Sequence, residues 1–199
     1  MARKIEKNIS WFLVLSLAML SISWFFLEPA NSADVTVSAT VASIISCSTP
    51  AGSTAFGSMN QGSVYTSDTD ATTTVSSNGS VYVKIKDAGD TSNPGLYKSA
   101  GTTDLIGSAD AASGDTATLS AGTEGYGIQA STTDSIEIAT RYLQTGDNVG
   151  GFEITDQTLA SSSAAVTAEV ITVIHKAAVS SSNLAGDYAD TITYTCSAS

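Results

Sequence analysis

Basic residues are scarce in this sequence, which has 8 Lys and Arg against 19 Asp and Glu in 199 residues. A surface that binds nucleic acid needs a face rich in cations, and docking on an anionic membrane needs a basic cluster. The acidic balance therefore excludes a nucleic-acid-binding surface and argues against docking on an anionic membrane. It is typical of a protein that stays soluble in an extracellular setting.

Histidine and cysteine, the residue types that most often serve as bases, nucleophiles and zinc ligands, are equally rare. His175 is the single histidine, and Cys47 and Cys196 are the only cysteines, which is too few ligands for a zinc site. The motifs G-x-S-x-G, H-E-x-x-H and D-x-[DN]-x-[DN]-G are absent. We therefore expect no catalytic residues, no resident metal and no cofactor, and we predict that His175 lies at the surface or at the end of a sheet.

Closely spaced carboxylates are the remaining candidates for a chemical site. They form three pairs: Asp68/Asp70, Asp87/Asp90 and Asp187/Asp190. All three fall in predicted turns, where Asp is expected because its side chain bonds to the local backbone. Calcium binding by these loops remains an alternative.

The N-terminus has the three parts of a secretory signal peptide. Basic residues come first, an apolar stretch follows over 11–27, and Ala30-Asn31-Ser32-Ala33 supplies small residues for cleavage. Cleavage after Ser32 is expected, with cleavage after Ala33 and an uncleaved anchor helix as alternatives. The mature protein is then secreted or displayed at the cell surface, and no membrane association is expected once the signal is removed.

Removal of residues 1–32 takes away both tryptophans and leaves five basic and 17 acidic residues, a net charge of −12. The remaining residues 33–199 suit one domain. Thr and Val favour strands, whereas the scattered Gly, Asn, Asp and Ser favour turns. No helical period is found in this part of the chain.

Short apolar alternations recur along the mature chain and predict β-strands. They cover 34–47, 71–76, 80–86, 95–98, 104–107, 124–130, 135–142, 166–178 and 188–196. Ser77-Asn78-Gly79 carries a hairpin signal, and the run Val170–Ile174 suits a strand buried on both faces. Seven to nine short strands predict an all-β, antiparallel β-sandwich of the immunoglobulin-like, pilin-like kind.

The phase of the first and last strands predicts a disulfide. Cys47 shares a face with Val41 and Ile45, and Cys196 shares a face with Ile192 and Tyr194. If those faces point to the core, the two thiols can meet in an oxidising compartment. A Cys47–Cys196 bond would then tie the first strand to the last.

Two segments, 39–59 (ATVASIISCSTPAGSTAFGSM) and 184–199 (LAGDYADTITYTCSAS), resemble the spore coat protein U-like family of secreted bacterial proteins, which is similar to subunits of chaperone–usher pili. The more specific match is A-G-x-Y-x-D-T-hydrophobic-T. It falls on Ala185, Gly186, Tyr188, Asp190, Thr191, Ile192 and Thr193. The resemblance implies a sandwich that lacks one strand and is completed by the N-terminal strand of a neighbour.

Two hypotheses of function follow, both non-enzymatic. In the first, the protein is a pilus- or coat-type subunit, and the segment 34–42 is the donor strand. Its alternate side chains would fill the neighbour's pockets: Val35, Val37, Ala39 and Val41. Its partners would be copies of itself, with a periplasmic chaperone as a further candidate. In the second, the protein is a self-contained adhesive or ligand-binding module that presents the loop-rich region 87–122, and 34–42 is its own first strand.

Overall fold

The computed structural model describes residues 36–48, 53–98, 104–109, 116–133 and 135–198. The chain divides into two compact units, Met1–Val41 and Ala42–Ser199. The predicted signal peptide and Val35 of the proposed donor lie outside the described residues. Within them, no helix is long and apolar enough to cross a membrane.

The second unit is built from β-strands, as the sequence predicts. Alternating burial along them follows from the period-two pattern, as in β4, where the side chains of Val81, Val83 and Ile85 are buried and that of Tyr82 is exposed. The strands are β1 (Ile45–Ser48), β2 (Tyr65–Thr66), β3 (Ala71–Ser77), β4 (Val81–Asp87), β5 (Gly95–Tyr97), β6 (Leu105–Gly107), β7 (Thr116–Thr118), β8 (Gly125–Thr132), β9 (Glu137–Ile138), β10 (Asn148–Gly150), β11 (Gln157–Ser162), β12 (Val166–Ala178) and β13 (Ile192–Ala198).

The described strands form two main antiparallel sheets around a shared core. One sheet has the order β1-β3-β12-β8-β10-β7, with β2 also paired to β12, and the other has the order β13-β4-β11-β9. β5 and β6 form a separate two-stranded ribbon. Buried side chains from both sheets, such as Val75, Ile171, Val83 and Leu159, belong to one hydrophobic cluster. The all-β, antiparallel sandwich is therefore confirmed.

The link between β3 and β4 corrects the hairpin prediction. The two strands lie in different sheets, since β3 pairs with β1 and β12 whereas β4 pairs with β13 and β11. Both edges of each strand are thus occupied. Residues 78–80 carry the chain from one sheet to the other, and the buried faces of the two strands meet across the core.

Two strands lie in the region 143–165, where the sequence patterns predict none. β10 and β11 each carry a fully buried residue, Val149 and Leu159, among small and polar neighbours. A register shift between Thr158 and Ala160 places two adjacent residues of β11 in the core and so breaks the alternation. The short strands β2 and β7 were missed as well.

Two predicted strands were wrong in extent, and a third, 166–178, has the predicted bounds but not the predicted burial. Only Glu137–Ile138 of 135–142 is a strand, because a 3-10 turn at Thr140–Tyr142 follows and buries Tyr142. The run Val170–Ile174 is buried on one face, since Val170 is exposed, and full burial begins at His175. The first predicted strand, 34–47, is confirmed only from Ile45 onward, because residues 36–44 form no strand.

Candidate functional site

β1 and β13 are edge strands of the two sheets, and the predicted disulfide joins them. Cys47 and Cys196 are bonded, with their Cα atoms 6.3 Å apart. Within the described residues, β1 pairs only with β3, and β13 pairs only with β4. The side of the sandwich that contains β1 and β13 therefore presents two free strand edges that are linked at one point.

A groove of about 1040 Å³ lies against β13. One wall is the segment 53–61, and the other includes 183–192 and Tyr194. Apolar side chains from both walls and from the core line it, among them Phe56, Met59, Leu96, Ile106, Ile192 and Tyr194. Phe56 is half-buried and packs against the core cluster.

The inward face of β13 is incompletely covered. Ile192, Tyr194 and Cys196 point toward the core but are only half-buried, whereas Val83 and Ile85 of the paired strand β4 are fully buried. A strand that has a partner on one edge only leaves its outer row of backbone N–H and C=O groups open to pairing. The groove thus combines apolar side chains with an available strand edge.

Stacked rings form the floor of the groove. The Tyr126 ring stacks on Phe152 at 4.9 Å and on His175 at 5.9 Å between ring centroids, and the Phe56 ring meets it edge-on at 6.2 Å. Tyr126 and His175 line the groove, while both are buried, at 2% and 4% exposure. The prediction that His175 lies at the surface is therefore wrong, because its strand is covered on both faces at this point.

The burial and the hydrogen-bond partners of His175 indicate the protonation state of its imidazole. Burial lowers the pKa of the imidazole to about 4, so the ring is neutral at pH 7. Nδ1 lies 2.9 Å from the Tyr126 hydroxyl. Burial, and then the charges of Asp190 and Asp87, hold the pKa of Tyr126 well above its usual range, so the phenol is protonated at pH 7 and shares this hydrogen bond with a neutral imidazole. The Ser67 hydroxyl accepts a hydrogen bond from the backbone N–H of His175, 3.2 Å away.

Two carboxyl groups from the sequence candidates meet beside the groove, although they come from different predicted pairs. Asp87 is the last residue of β4 and is 1% exposed, and Asp190 lies in the groove wall just before β13. The prediction of a turn position for Asp87 is wrong. Its phase with Val83 and Ile85 was the sequence signal that it would point inward.

Each carboxyl group of this pair has one oxygen with donors and one without. Asp87 Oδ2 accepts from the Gly95 N–H at 2.9 Å, and Asp190 Oδ1 accepts from the N–H groups of Gly89 and Thr191 at 3.2 and 2.6 Å. Among the described groups, Asp87 Oδ1 and Asp190 Oδ2 are buried and have no donor. Burial, followed by the charge and hydrogen bonding of Asp190, raises the pKa of Asp87 to about 8. Burial also raises the pKa of Asp190.

Of the other carboxylates, Asp90 acts as expected in a turn, whereas Asp68 binds a backbone N–H that lies 13 residues away in sequence. Asp68 accepts a hydrogen bond from the Ala55 N–H at 2.9 Å, and the pKa of its carboxyl is lowered mainly by this bond. Asp90 accepts from the N–H groups of Ser92 and Asn93. The described residues contain no group of three or more side chains arranged to hold a metal ion.

The proposed donor segment has no strand partner where it is described. Val37 and Val41 are 87% and 82% exposed, and Ala39 is exposed as well. In the second unit, the side chain of Asn78 binds the chain just before β1. Its amide donates to the Ala42 carbonyl at 2.9 Å and accepts from the Ile44 N–H at 2.7 Å. Ladder pairing starts only at Ile45.

The C-terminal motif builds one wall of the groove. Gly186 has φ +152° and a Cβ there would lie 2.4 Å from Cε of Lys98, so a side chain would not fit without displacing the lysine. The Tyr188 hydroxyl donates to the Leu184 carbonyl at 2.8 Å. Thr191 is exposed, and Ile192 opens β13. The motif residues from Ala185 to Ile192 therefore lie together along one wall of the groove.

Comparison with protein families, with curated proteins and with solved structures finds no match to this chain.

Proposed function

We propose that this protein is a non-enzymatic subunit of a surface fibre or coat, and that it accepts a β-strand from a neighbouring copy. The observation that carries the proposal is the groove beside β13, which offers a free strand edge and apolar pockets together. A peptide in extended conformation can use both, because main-chain bonds supply affinity and alternate side chains supply specificity.

The donor would be residues 34–42 of the neighbour. At about 3.3 Å per residue, nine residues reach about 30 Å, so the donor is long enough to pass the two residues of β13 that line the groove, Ile192 and Tyr194. Val37, Ala39 and Val41 are exposed in the single chain and lie on one face of an extended segment. Burying valines that are 87% and 82% exposed would supply a hydrophobic driving force.

The immunoglobulin-like, pilin-like form of the sandwich and the resemblance to the spore coat protein U-like family belong to the same proposal. Export through the predicted signal peptide would bring the subunit to the cell surface. A periplasmic chaperone is a candidate partner for the empty groove before assembly, since an exposed edge invites unwanted pairing.

The alternative, a self-contained adhesive module, is less well supported by the described part of 87–122. Leu96 and Ile106 of the β5–β6 ribbon are 7% and 0% exposed and join the core, so this part of the region packs inward.

The test is assembly of the exported protein, measured by native mass and by SDS-resistant ladders. We expect ladders from the wild type and none from Val37→Asp/Val41→Asp. Ser38→Asp/Thr40→Asp is the matched control, because these side chains have the opposite phase and would face away from the groove. Ladders that persist in the valine variant, or a wild type that stays monomeric at high concentration, would contradict the proposal.

The groove is tested separately by adding a synthetic peptide of residues 33–42 to the valine variant, which keeps its groove but lacks a functional donor. Saturable binding that is lost when the peptide carries the same two aspartates supports strand acceptance. A monomer that needs its own residues 33–42 to fold would favour the self-contained module.

A further inference from the structure

We propose that Asp87 and Asp190 share a single proton, and that this proton latches the start of β13 to the end of β4 so that the wall of the groove is pH-dependent. The effect on strand uptake rests on the proposed function, whereas the shared proton does not.

The hydrogen bonds leave one position for the proton. Backbone N–H groups occupy Asp87 Oδ2 and Asp190 Oδ1, whereas Asp87 Oδ1 and Asp190 Oδ2 are buried without a donor. Two ionised carboxylates in that arrangement would repel each other and leave two charged oxygens unpaired in the protein interior. One proton between them turns one carboxyl into a donor and satisfies both oxygens.

No cation takes the place of that proton among the described groups around the pair. The titratable group that faces it from a neighbouring strand is Tyr126 of β8, which in turn faces Tyr194 of β13 and His175 of β12. Burial raises the pKa of Tyr194, and His175 is neutral. Asp90 of the adjoining loop is half-buried and its carboxyl is bound to its own turn. A proton is therefore the simplest partner for the two oxygens.

The position of the pair gives the proton a structural effect. Asp87 pairs in register with Ile192, and the Ala88 N–H donates to the Thr191 carbonyl at 3.0 Å, so the two carboxyl groups sit where β13 joins its sheet. Asp190 is also part of the groove wall. Loss of the proton adds a negative charge at this junction. It thereby weakens the attachment of the strand edge that would receive the donor.

The pH dependence follows from the direction of the shift. The pKa of Asp87 is raised in the folded protein from the ordinary value 3.8 to about 8, so its contribution to stability is complete below pH 3.8 and is lost as the pH rises to about 8. His175 acts in the opposite sense, because its lowered pKa removes stability as the pH falls from 6.5 toward 4. The window from pH 6.5 to 8 isolates the carboxyl pair from His175.

The experiment is urea unfolding of Val37→Asp/Val41→Asp protein from pH 6.5 to 8.5, because this variant lacks the proposed donor contacts, and its native mass is first checked to be that of a monomer. We expect the unfolding constant to rise on the order of tenfold per pH unit up to about pH 8. Adding Asp87→Asn should abolish this slope, since the amide N–H donates a hydrogen bond to Asp190 at every pH and does not titrate. Asp187→Asn, an exposed change in the same wall, should retain it.

A direct titration keeps the proposal testable if Asp87→Asn does not fold. Carbon-13 NMR of the aspartate carboxyl groups should show one group that titrates near pH 8, with exchange of the Gly89 and Gly95 amides increasing over the same range. A flat unfolding profile, or an Asp87 carboxyl that titrates below pH 5, would overturn the shared proton and leave strand acceptance untouched. The expected pH dependence without peptide binding would overturn strand acceptance and leave the shared proton untouched.

Discussion

β12 and β13 both contain alternating apolar residues, but β12 is a central strand with partners on both edges, whereas β13 is an edge strand. β12 pairs with β3, β8 and β2, and Ile171 and Val173 on its inner face are completely buried. β13 pairs with β4 alone, and its inward Ile192 and Tyr194 are half-buried. The comparison shows that an alternating pattern specifies which face points inward, whereas the number of neighbouring strands decides how well that face is covered.

The largest effect should come from breaking the bond that ties β13 to β1. Cys47→Ala/Cys196→Ala opens a loop with a sequence separation of 149 residues. In the chain-entropy model this lowers the free energy of unfolding by about 5 kcal/mol. The measurement is urea unfolding of the oxidised wild type against the double variant. A loss below about 1 kcal/mol would mean that β13 is held by its pairing to β4 alone.

The same truncation made in both strands should give unequal results. Ile171→Ala removes a fully buried side chain and should cost about 2–5 kcal/mol. Ile192→Ala removes a half-buried one and should cost about 1 kcal/mol in the monomer, because much of the surface is already open to solvent. Equal losses in chemical denaturation would show that β13 is as completely packed as β12. The cost of Ile192→Ala should increase when the 33–42 peptide is bound.

A carboxylate on β12 offers a contrast to the pair beside β13. Glu169 accepts from the N–H and hydroxyl of Ser135, both at 2.9 Å, and from the Ile136 N–H at 3.4 Å. Glu169→Gln replaces one acceptor oxygen by a donor and should cost about 1–3 kcal/mol at pH 7. Thermal unfolding of the variant should show this loss. A stability equal to that of the wild type would mean that the three bonds are dispensable.

The smallest effect is expected at the proposed donor. Val37→Ser changes a side chain that is 87% exposed, so the free energy of unfolding of the monomer should change by less than about 0.5 kcal/mol. Val173→Ser, at 0% exposure, is the buried counterpart and should be severely destabilising. If Val37→Ser destabilises the monomer as well, the segment packs on its own chain in solution.

Much of the fold was predictable because alternation is a local signal. The inward phase of Cys47 and Cys196, and the strands β3, β4 and β12, could be read from their own residues. The crossing between β3 and β4 could not, since a turn sequence does not reveal which sheet receives the next strand. β11 was not predicted because its register shift interrupts the alternation of buried and exposed residues on which strand prediction depends.

The candidate site was predictable only in parts. The C-terminal motif pointed to Asp190 and Ile192, and the phase of β4 placed Asp87 inward. Their meeting depends on the pairing of β13 with β4, which links residues about a hundred positions apart. The lack of strand structure at 36–44 was likewise invisible, because alternation is the same whether a partner is in the same chain or in another.

The position of Cys47 has a mechanical consequence. In a fibre joined by donated strands, tension would enter each subunit at its N-terminal arm, just ahead of β1, and leave through β13, which grips the next arm. The covalent link from Cys47 to Cys196 joins these two points directly. The pulling force would then pass along a short covalent path, and most of the hydrophobic core would carry little of it. Such a subunit could be stretched without being unravelled, and reduction of one bond would turn a stiff link into an extensible one.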